Sequence, residues 1–315
     1  MAWVTWRQNR IQLLAGGALL TAIVLLALAT GPGIRSAFEQ QGVDACLPPA
    51  TRSGCEIIVR HFQSENETLA LVARYLVFLP ALIAALVGAP LLARELEHGT
   101  YRLAWTQGVT RRRWLLSQTV LLSAATVVGA LALSAIVMWW RLPFDRIQGR
   151  MSPSRFEIEG LVVPAYALFA LALGVFSGAL LRRTVPAMTA ALAAFVAVRL
   201  AVANFLRPRY LAAEHDTATG LTPSSHAHDW VLSNSLVDSV GRQISAAREN
   251  LAIEHAQNAR IDAQEYLLAL GWRRAVSFQS ADRFWTFQLI EAAIFLGLAA
   301  LIVLATLRLV QRTPS

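Results

Sequence analysis

The sequence predicts an all-α, polytopic membrane protein with six transmembrane helices and both termini on the cytoplasmic side. Of its 315 residues, 56% are hydrophobic and only 15% are charged, whereas a soluble domain typically carries about 25% charged residues. Six runs are long enough to cross a hydrocarbon layer, which takes about 20 apolar residues in a helix. The distribution of arginines between the two sides then favours one orientation over the other.

The six candidate spans define the domain organisation. They are Ile11–Thr30, Tyr75–Ala93, Trp114–Trp140, Leu161–Leu181, Thr184–Leu206 and Phe284–Leu307. The first four contain no Asp, Glu, Arg, Lys or His, whereas the fifth and sixth hold one such residue each, Arg199 and Glu291. We therefore predict transmembrane regions over 11–206 and 284–308, outer loops over 31–74 and 141–160, and an outer helical domain over 207–283.

Arginines set the predicted orientation. The short segments on one side of the spans carry 11 arginines: Arg7, Arg10, Arg94, Arg102, Arg111, Arg112, Arg113, Arg182, Arg183, Arg308 and Arg312. Because short cytoplasmic loops carry an excess of basic residues, we expect these segments inside, including a tail over 309–315. Four arginines in the outer loop 141–160 weaken the contrast. Trp3 and Trp6 beside Arg7 indicate an interfacial helix over 1–10, with a frayed terminus as the alternative.

The outer side carries two cysteines and a short histidine motif. Cys46 and Cys55 lie nine positions apart in the first outer loop, where an oxidising compartment favours a disulfide between them. The stretch His226-Ala227-His228-Asp229 contains metal-binding side chains, but the sequence offers no third clustered ligand, so a polar loop is expected rather than a metal site. Within 235–270, apolar residues recur at helical spacing, which predicts two amphipathic helices over the outer mouth.

The basic residues exclude one chemistry. All 28 residues in the Lys+Arg count are arginine, and a Walker A loop needs a lysine to reach the nucleotide phosphates. The chain is therefore not expected to bind ATP by that route. It also contains no convincing catalytic triad or carboxylate pair, so we predict a protein without a catalytic residue, metal or cofactor of its own.

A charged segment over 94–113, called the elbow below, separates spans 2 and 3. Gly99 suits a helix C-cap, and Thr100 can cap a second short helix, Tyr101–Gln107. That helix carries Tyr101, Leu103 and Trp105 between charged flanks, and apolar groups rimmed by charge are typical of a protein contact. The alternative is a charged, solvated loop.

The elbow also carries a family resemblance. The run Leu91-Leu92-Ala93-Arg94-Glu95-Leu96-Glu97-His98-Gly99-Thr100, followed by Val109-Thr110-Arg111-Arg112-Arg113-Trp114-Leu115-Leu116, resembles the signature of type-2 ABC exporter permeases. In that family an acidic residue and a Gly-Thr pair precede a short coupling helix. The resemblance extends to the six spans, the inside termini and the short hairpin at Arg182-Arg183. It departs from the family at Gln118, where a lysine is common.

The resemblance implies the type-2 ABC exporter transmembrane fold and a permease subunit of a bacterial cytoplasmic membrane. It implies that Tyr101–Gln107 docks on a separate ATP-binding subunit, two copies of which would hold ATP and Mg. A second permease copy, identical or related, and membrane lipids would complete the assembly, with no nucleic acid. The implied coupling residues are Arg94, Glu95, Glu97, Gly99, Thr100, Tyr101, Leu103, Trp105 and Arg111. The alternatives are an ATP-independent secondary transporter or channel and a sensory or scaffolding protein; the cargo stays open.

Two charges lie within the predicted spans. Arg199 and Glu291 each lie seven residues from the outer end of their span, which places both roughly 10 Å below the outer boundary at the helical rise. An ionised side chain at that depth is costly unless it is paired or hydrated, and it marks a functional site by default. We expect the two to face each other or the translocation path. The alternative is an ion pair that only locks spans 5 and 6 together.

Overall fold

The computed structural model describes residues 2–47, 54–97, 111–218, 226 and 228–312. Six of its helices are long and apolar enough to cross a membrane, which confirms the predicted number and order of spans. In chain order they are Arg10–Gln40, Glu67–Arg94, Thr119–Gln148, Val162–Leu181, Thr184–Arg209 and Ala281–Gln311, called spans 1 to 6.

Spans 1 and 3 extend beyond the predicted apolar runs. Span 1 belongs to one helix, Ala2–Gln40, so residues 2–10 are helical and continuous with the span. Span 3 belongs to the helix Arg111–Gln148. The two helices also make polar contacts with each other. The Arg35 guanidinium of span 1 donates to the Trp139 carbonyl of span 3 at 3.0 Å and lies over the Trp139 indole ring.

Span 2 is broken into five pieces. The α-helices Glu67–Tyr75, Leu79–Ile83 and Ala89–Glu97 alternate with a 3-10 turn at Leu76–Phe78 and a π-helical turn at Ala84–Gly88. Prolines 80 and 90 lie within it, and each removes a backbone donor, which is a usual cause of such breaks. The irregular stretch packs on span 4.

The remaining helical segments are three short ones and the helices that form spans 4, 5 and 6. They are the 3-10 turn Asp44–Cys46 and the helices Cys55–Glu65, Pro153–Phe156, Val162–Leu181, Thr184–Ala201 and Phe284–Arg312. Span 5 ends in a π-helical turn, Val202–Leu206, and a 3-10 turn, Arg207–Arg209. A 3-10 turn at Ala281–Arg283 leads into span 6.

The outer region is not all-helical as predicted. Strands β1 (Glu214–Ala218), β2 (Trp230–Val237) and β3 (Arg273–Gln279) form an antiparallel sheet in the order β1-β3-β2. The two predicted helices are present between β2 and β3, at Ala246–Asn258 and Ala263–Ala269. The strands escaped prediction because β3 pairs with residues about 40 to 60 positions away, and local periodicity carries no record of such pairing.

The two ends of the bundle differ in what they carry. At one end, Leu13, Leu91, Leu122, Leu171 and Val310 pack together near the start of the elbow, and this is the elbow end. At the other, the sheet end, Phe62 of the helix Cys55–Glu65 packs between Phe38 and Phe144 of spans 1 and 3. The structure joins Cys46 to Cys55 by a disulfide, with 5.3 Å between their Cα atoms, at the sheet end. This is the pairing that the sequence analysis expects.

His226 ties the sheet together. Its ring nitrogens lie 3.0 Å from a carboxylate oxygen of Asp229 and 3.2 Å from one of Asp216, and its ring packs on Phe278 of β3. Burial alone would lower the pKa of the imidazole, but the hydrogen bonds and charges of the two carboxylates outweigh it, so the pKa is raised above 6.5. The motif around His226, for which the sequence predicts a polar loop, therefore includes an ion-paired histidine.

Span 4 is almost entirely buried and forms the centre of the bundle. Its glycines let span 2 approach at backbone distance. A Cβ added to Gly174 would lie 2.3 Å from the Ala84 carbonyl oxygen, and one added to Gly178 would lie 2.5 Å from that of Ala89. Small residues allow membrane helices to pack this closely. Spans 2 and 4 are therefore expected to move as one unit.

Replacing Gly174 should loosen this unit. Gly174→Ala forces the two backbones apart, and overpacking of this kind costs about 1–3 kcal/mol, or roughly 2–4 °C in unfolding temperature per kcal/mol for a chain of this size. Thermal unfolding in detergent measures the shift. Gly129→Ala in span 3 is the matched control, since no atom of the described residues lies within 4 Å of its added Cβ. Equal unfolding temperatures for both variants would contradict the packing argument.

The raised pKa of His226 predicts a pH dependence. Charged His226 stabilises the sheet at low pH, and this contribution is lost as the pH rises through the raised pKa. Between pH 6 and pH 9, amide hydrogen exchange in β1 and β3, corrected for its intrinsic pH dependence, should therefore lose protection in the wild type. His226→Gln should remove this pH response, and a variant that kept it in full would assign the response to another group.

Candidate functional site

The elbow end holds the first part of the candidate site. Of the predicted coupling residues, Gly99, Thr100, Tyr101, Leu103 and Trp105 lie outside the described residues. Glu95 lies in the helix Ala89–Glu97, and Arg111 begins the helix that leads into span 3. Arg94 is exposed. The elbow thus begins and ends within helices that continue directly into spans 2 and 3.

Glu97 links the elbow to span 5. Its Oε2 accepts hydrogen bonds from the backbone N–H of Thr184 at 3.0 Å and from the hydroxyl of Thr184 at 2.7 Å. Thr184 is the first residue of the helix Thr184–Ala201, and a carboxylate is favourable at the N-terminus of a helix. A movement of the helix Ala89–Glu97 would therefore be felt by span 5 as well as by span 4.

The sheet end holds the second part, a buried charge cluster made of Glu157, Arg199, Arg207 and Glu291. At its centre, Arg207 donates to both carboxylate oxygens of Glu291, from Nε at 2.7 Å and from Nη2 at 2.6 Å. Both side chains are 1% exposed. A bidentate arginine–carboxylate contact of this geometry is among the strongest hydrogen-bonded pairs in proteins.

Glu157 joins the second arginine to the first. One of its oxygens accepts from Arg207 at 3.0 Å and the other from Arg199 at 2.6 Å. Arg199 also donates to the Val77 carbonyl at 2.7 Å, in the 3-10 turn of span 2. The cluster therefore connects spans 2, 5 and 6 with the segment before span 4.

Two tyrosines complete the cluster. Tyr166 of span 4 donates to one oxygen of Glu291, and Tyr210 donates to the other at 3.0 Å. Burial beside Glu291 raises the pKa of the Tyr210 hydroxyl above its ordinary value, so it stays a donor. The guanidinium of Arg199 lies over the Tyr166 ring. With two arginines and two glutamates the cluster balances its formal charge, which is the condition for burying charges without a large penalty.

The predicted direct pair between Arg199 and Glu291 is not formed. Both belong to the cluster, but each has another partner, Glu157 for Arg199 and Arg207 for Glu291. The prediction missed these partners because both lie just outside the predicted spans. The π-helical and 3-10 turns that extend span 5 carry Arg207 back into the bundle. The sequence did contain a signal for both partners, since Glu157 lies shortly before predicted span 4 and Arg207 directly follows predicted span 5.

Breaking the central pair should be costly. Arg207→Met leaves the Glu291 charge buried beside fewer donors, and loss of one partner of a buried pair typically costs about 3–5 kcal/mol. The double variant Arg207→Met/Glu291→Leu should recover part of that loss, which denaturant or thermal unfolding in detergent measures.

An exposed pair provides the control. Arg60 contacts Glu56 at 3.1 Å, with side chains 68% and 83% exposed, so Arg60→Met should cost less than about 1 kcal/mol. Additive losses for Arg207→Met and Glu291→Leu would show that the two side chains do not depend on each other.

Comparison with known proteins identifies the family. The family model for ABC-2 membrane transporter related proteins matches residues 17–207, more than half of the chain. No curated protein and no solved structure matches the chain. The matched region covers spans 2, 3 and 4, the elbow, and all members of the charge cluster except Glu291. The chain belongs to the ABC-2 membrane transporter related family.

Proposed function

We propose that the chain is the permease subunit of an ABC exporter, in which a separate nucleotide-binding subunit hydrolyses ATP to drive substrate across the cytoplasmic membrane. The family assignment supports a permease of this class. The observation that carries the mechanism is the backbone contact of Gly174 and Gly178 with the part of span 2 that leads into the elbow. A force applied at the elbow would reach the centre of the bundle through that contact.

The proposed orientation puts the elbow end in the cytoplasm and the sheet end outside. The disulfide between Cys46 and Cys55 supports this, because disulfides persist in oxidising compartments. Exposed arginines at the elbow end support it as well, among them Arg94, Arg182 and Arg183. Both termini would then be cytoplasmic.

The transmission path runs the length of the bundle. A push on the elbow would displace the helix Ala89–Glu97 and, through Gly174 and Gly178, span 4. Glu97 would carry the same displacement to span 5 through Thr184. At the sheet end, spans 4, 5 and 6 meet at Glu291. Opening towards the outside would then require the charge cluster to rearrange.

The proposed assembly contains two permease chains and two ATP-binding subunits, and the ATP-binding subunits would bind ATP and Mg. Spans 1 and 5 leave large apolar side chains exposed, including Leu14, Leu25, Val185 and Phe205. Such surfaces need lipid or a second permease copy to cover them. The elbow would take the ATP-binding subunit, through Tyr101, Leu103 and Trp105.

Disrupting the elbow should release the ATP-binding subunit. Leu103→Ala/Trp105→Ala truncates two of the three large apolar or aromatic side chains between its charged flanks. Interface anchors of this kind commonly cost about 2 kcal/mol or more each when truncated. With both subunits co-expressed and a tag on the permease, the yield of co-purified ATPase should fall at least about tenfold.

The control truncates exposed apolar side chains at the opposite end. Val240 and Leu251 of the outer region are 75% and 56% exposed, and Val240→Ala/Leu251→Ala should leave co-purification unchanged. If the wild type brings down no ATPase, or the elbow variant retains it in full, the chain works without the proposed motor.

A further inference from the structure

A cavity of about 370 Å³ opens at the sheet end, apart from the charge cluster. It lies between the helix Cys55–Glu65, the start of span 2, the end of span 3 and the short helix Pro153–Phe156. Its lining includes three arginines, Arg74, Arg141 and Arg155, and one carboxylate, Glu67. Small-molecule binding sites usually have volumes of about 300–1,000 Å³.

The cavity lining also includes a buried cation, Arg141. Arg141 is 8% exposed, and its Nε makes no hydrogen bond within the described part of the chain. The carboxylate oxygens nearest to it belong to Glu159 at 3.5 Å and Asp145 at 3.9 Å, which is too far for a hydrogen bond. Phe144 and Ala70 contribute apolar lining.

The second arginine, Arg155, is fixed in place by the backbone. Arg155 donates from Nη1 to the Gly149 carbonyl at 2.7 Å, which fixes its guanidinium at the wall. Burial and the charge of Arg141 together lower the pKa of Arg155 to about 10. An anion between the two guanidinium groups would relieve this repulsion.

The third arginine lies at the rim. Arg74 is exposed, and among the described residues its side chain has no hydrogen-bond or ion-pair partner. Among the described residues, the cavity wall therefore carries three arginines against one carboxylate, that of Glu67. Behind the wall, Asp145 and Glu159 are partly balanced by Arg150, which contacts Glu159 at 3.1 Å. When these groups are included, the described residues in and behind the wall still carry one more positive than negative formal charge.

We propose that this cavity binds a phosphate group, carried either by an anionic phospholipid or by a soluble phosphate compound. Arginine is the side chain best suited to phosphate, because its planar fork donates two parallel hydrogen bonds. Residues 67–74 and 141–148 are the ends of spans 2 and 3, so the cavity lies at the level of lipid headgroups in a bilayer. The site does not depend on the proposed ATP-driven function.

Binding to the full chain in non-ionic detergent tests the proposal. The probes are dihexanoyl phosphatidylglycerol, inorganic phosphate and, as a phosphate-free control, dihexanoylglycerol. Wild type should bind one or both phosphate probes in a titration calorimeter and should not bind dihexanoylglycerol. Arg74→Gln/Arg155→Gln should weaken that binding about tenfold or more, because two charge-assisted contacts are lost.

Two further variants make the test specific. Glu67→Gln removes the carboxylate from the wall and should tighten phosphate binding about twofold or more. Arg60→Gln removes a charge from the exposed pair on the neighbouring helix and should leave binding unchanged. Binding of the lipid alone would assign a headgroup site, and equal binding of inorganic phosphate would assign a soluble anion; both support the proposal.

Three results would overturn it. The first is that neither phosphate probe binds the wild type. The second is that the double arginine variant binds as tightly as the wild type, and the third is that Arg60→Gln weakens binding as much as the double variant does. Loss of the ATP-binding partner in the elbow experiment would leave all of these outcomes unaffected, so the two proposals fail separately.

Discussion

The contact between Arg207 and Glu291 is the constraint on which the sheet end of the bundle depends. Both groups are buried, and neither charge is tolerable there without the other. Their partners fix the surrounding elements, since Tyr166 comes from span 4, Tyr210 from the segment after span 5, and Glu157 from the segment before span 4. A buried network of this kind is stable in the arrangement that satisfies all its members, and it therefore specifies how spans 4, 5 and 6 meet.

The elbow end is held by a different kind of contact. There the backbones of spans 2 and 4 touch at Gly174 and Gly178, and the hydrogen bonds of Glu97 add span 5. Close packing transmits the displacement of one helix to the next because the interface has low compressibility. Span 4 carries both the glycine contact and Tyr166, so a single buried helix connects the segment proposed to receive force with the charge cluster.

The sequence predicted the parts of this arrangement that depend on local composition. Six apolar runs, the order of the spans and the proximity of Cys46 to Cys55 follow from composition and spacing, and the structure agrees. The true partners of Arg199 and Glu291 did not follow, because a π-helical turn, not an apolar run, brings Arg207 into the bundle. The three strands were missed because their pairing is non-local. Hydropathy locates a span well, but it does not locate the polar contacts just beyond its end.

Hydrogen exchange on the assembled complex, with and without a non-hydrolysable ATP analogue, tests most directly whether the two ends are coupled. If they are, nucleotide should change the exchange of amides both in the helix Ala89–Glu97 and in the turn Arg207–Arg209, which lies at the far end of the bundle. A response confined to Ala89–Glu97, with Arg207–Arg209 unchanged, would contradict the account, because the charge cluster would then be a static lock.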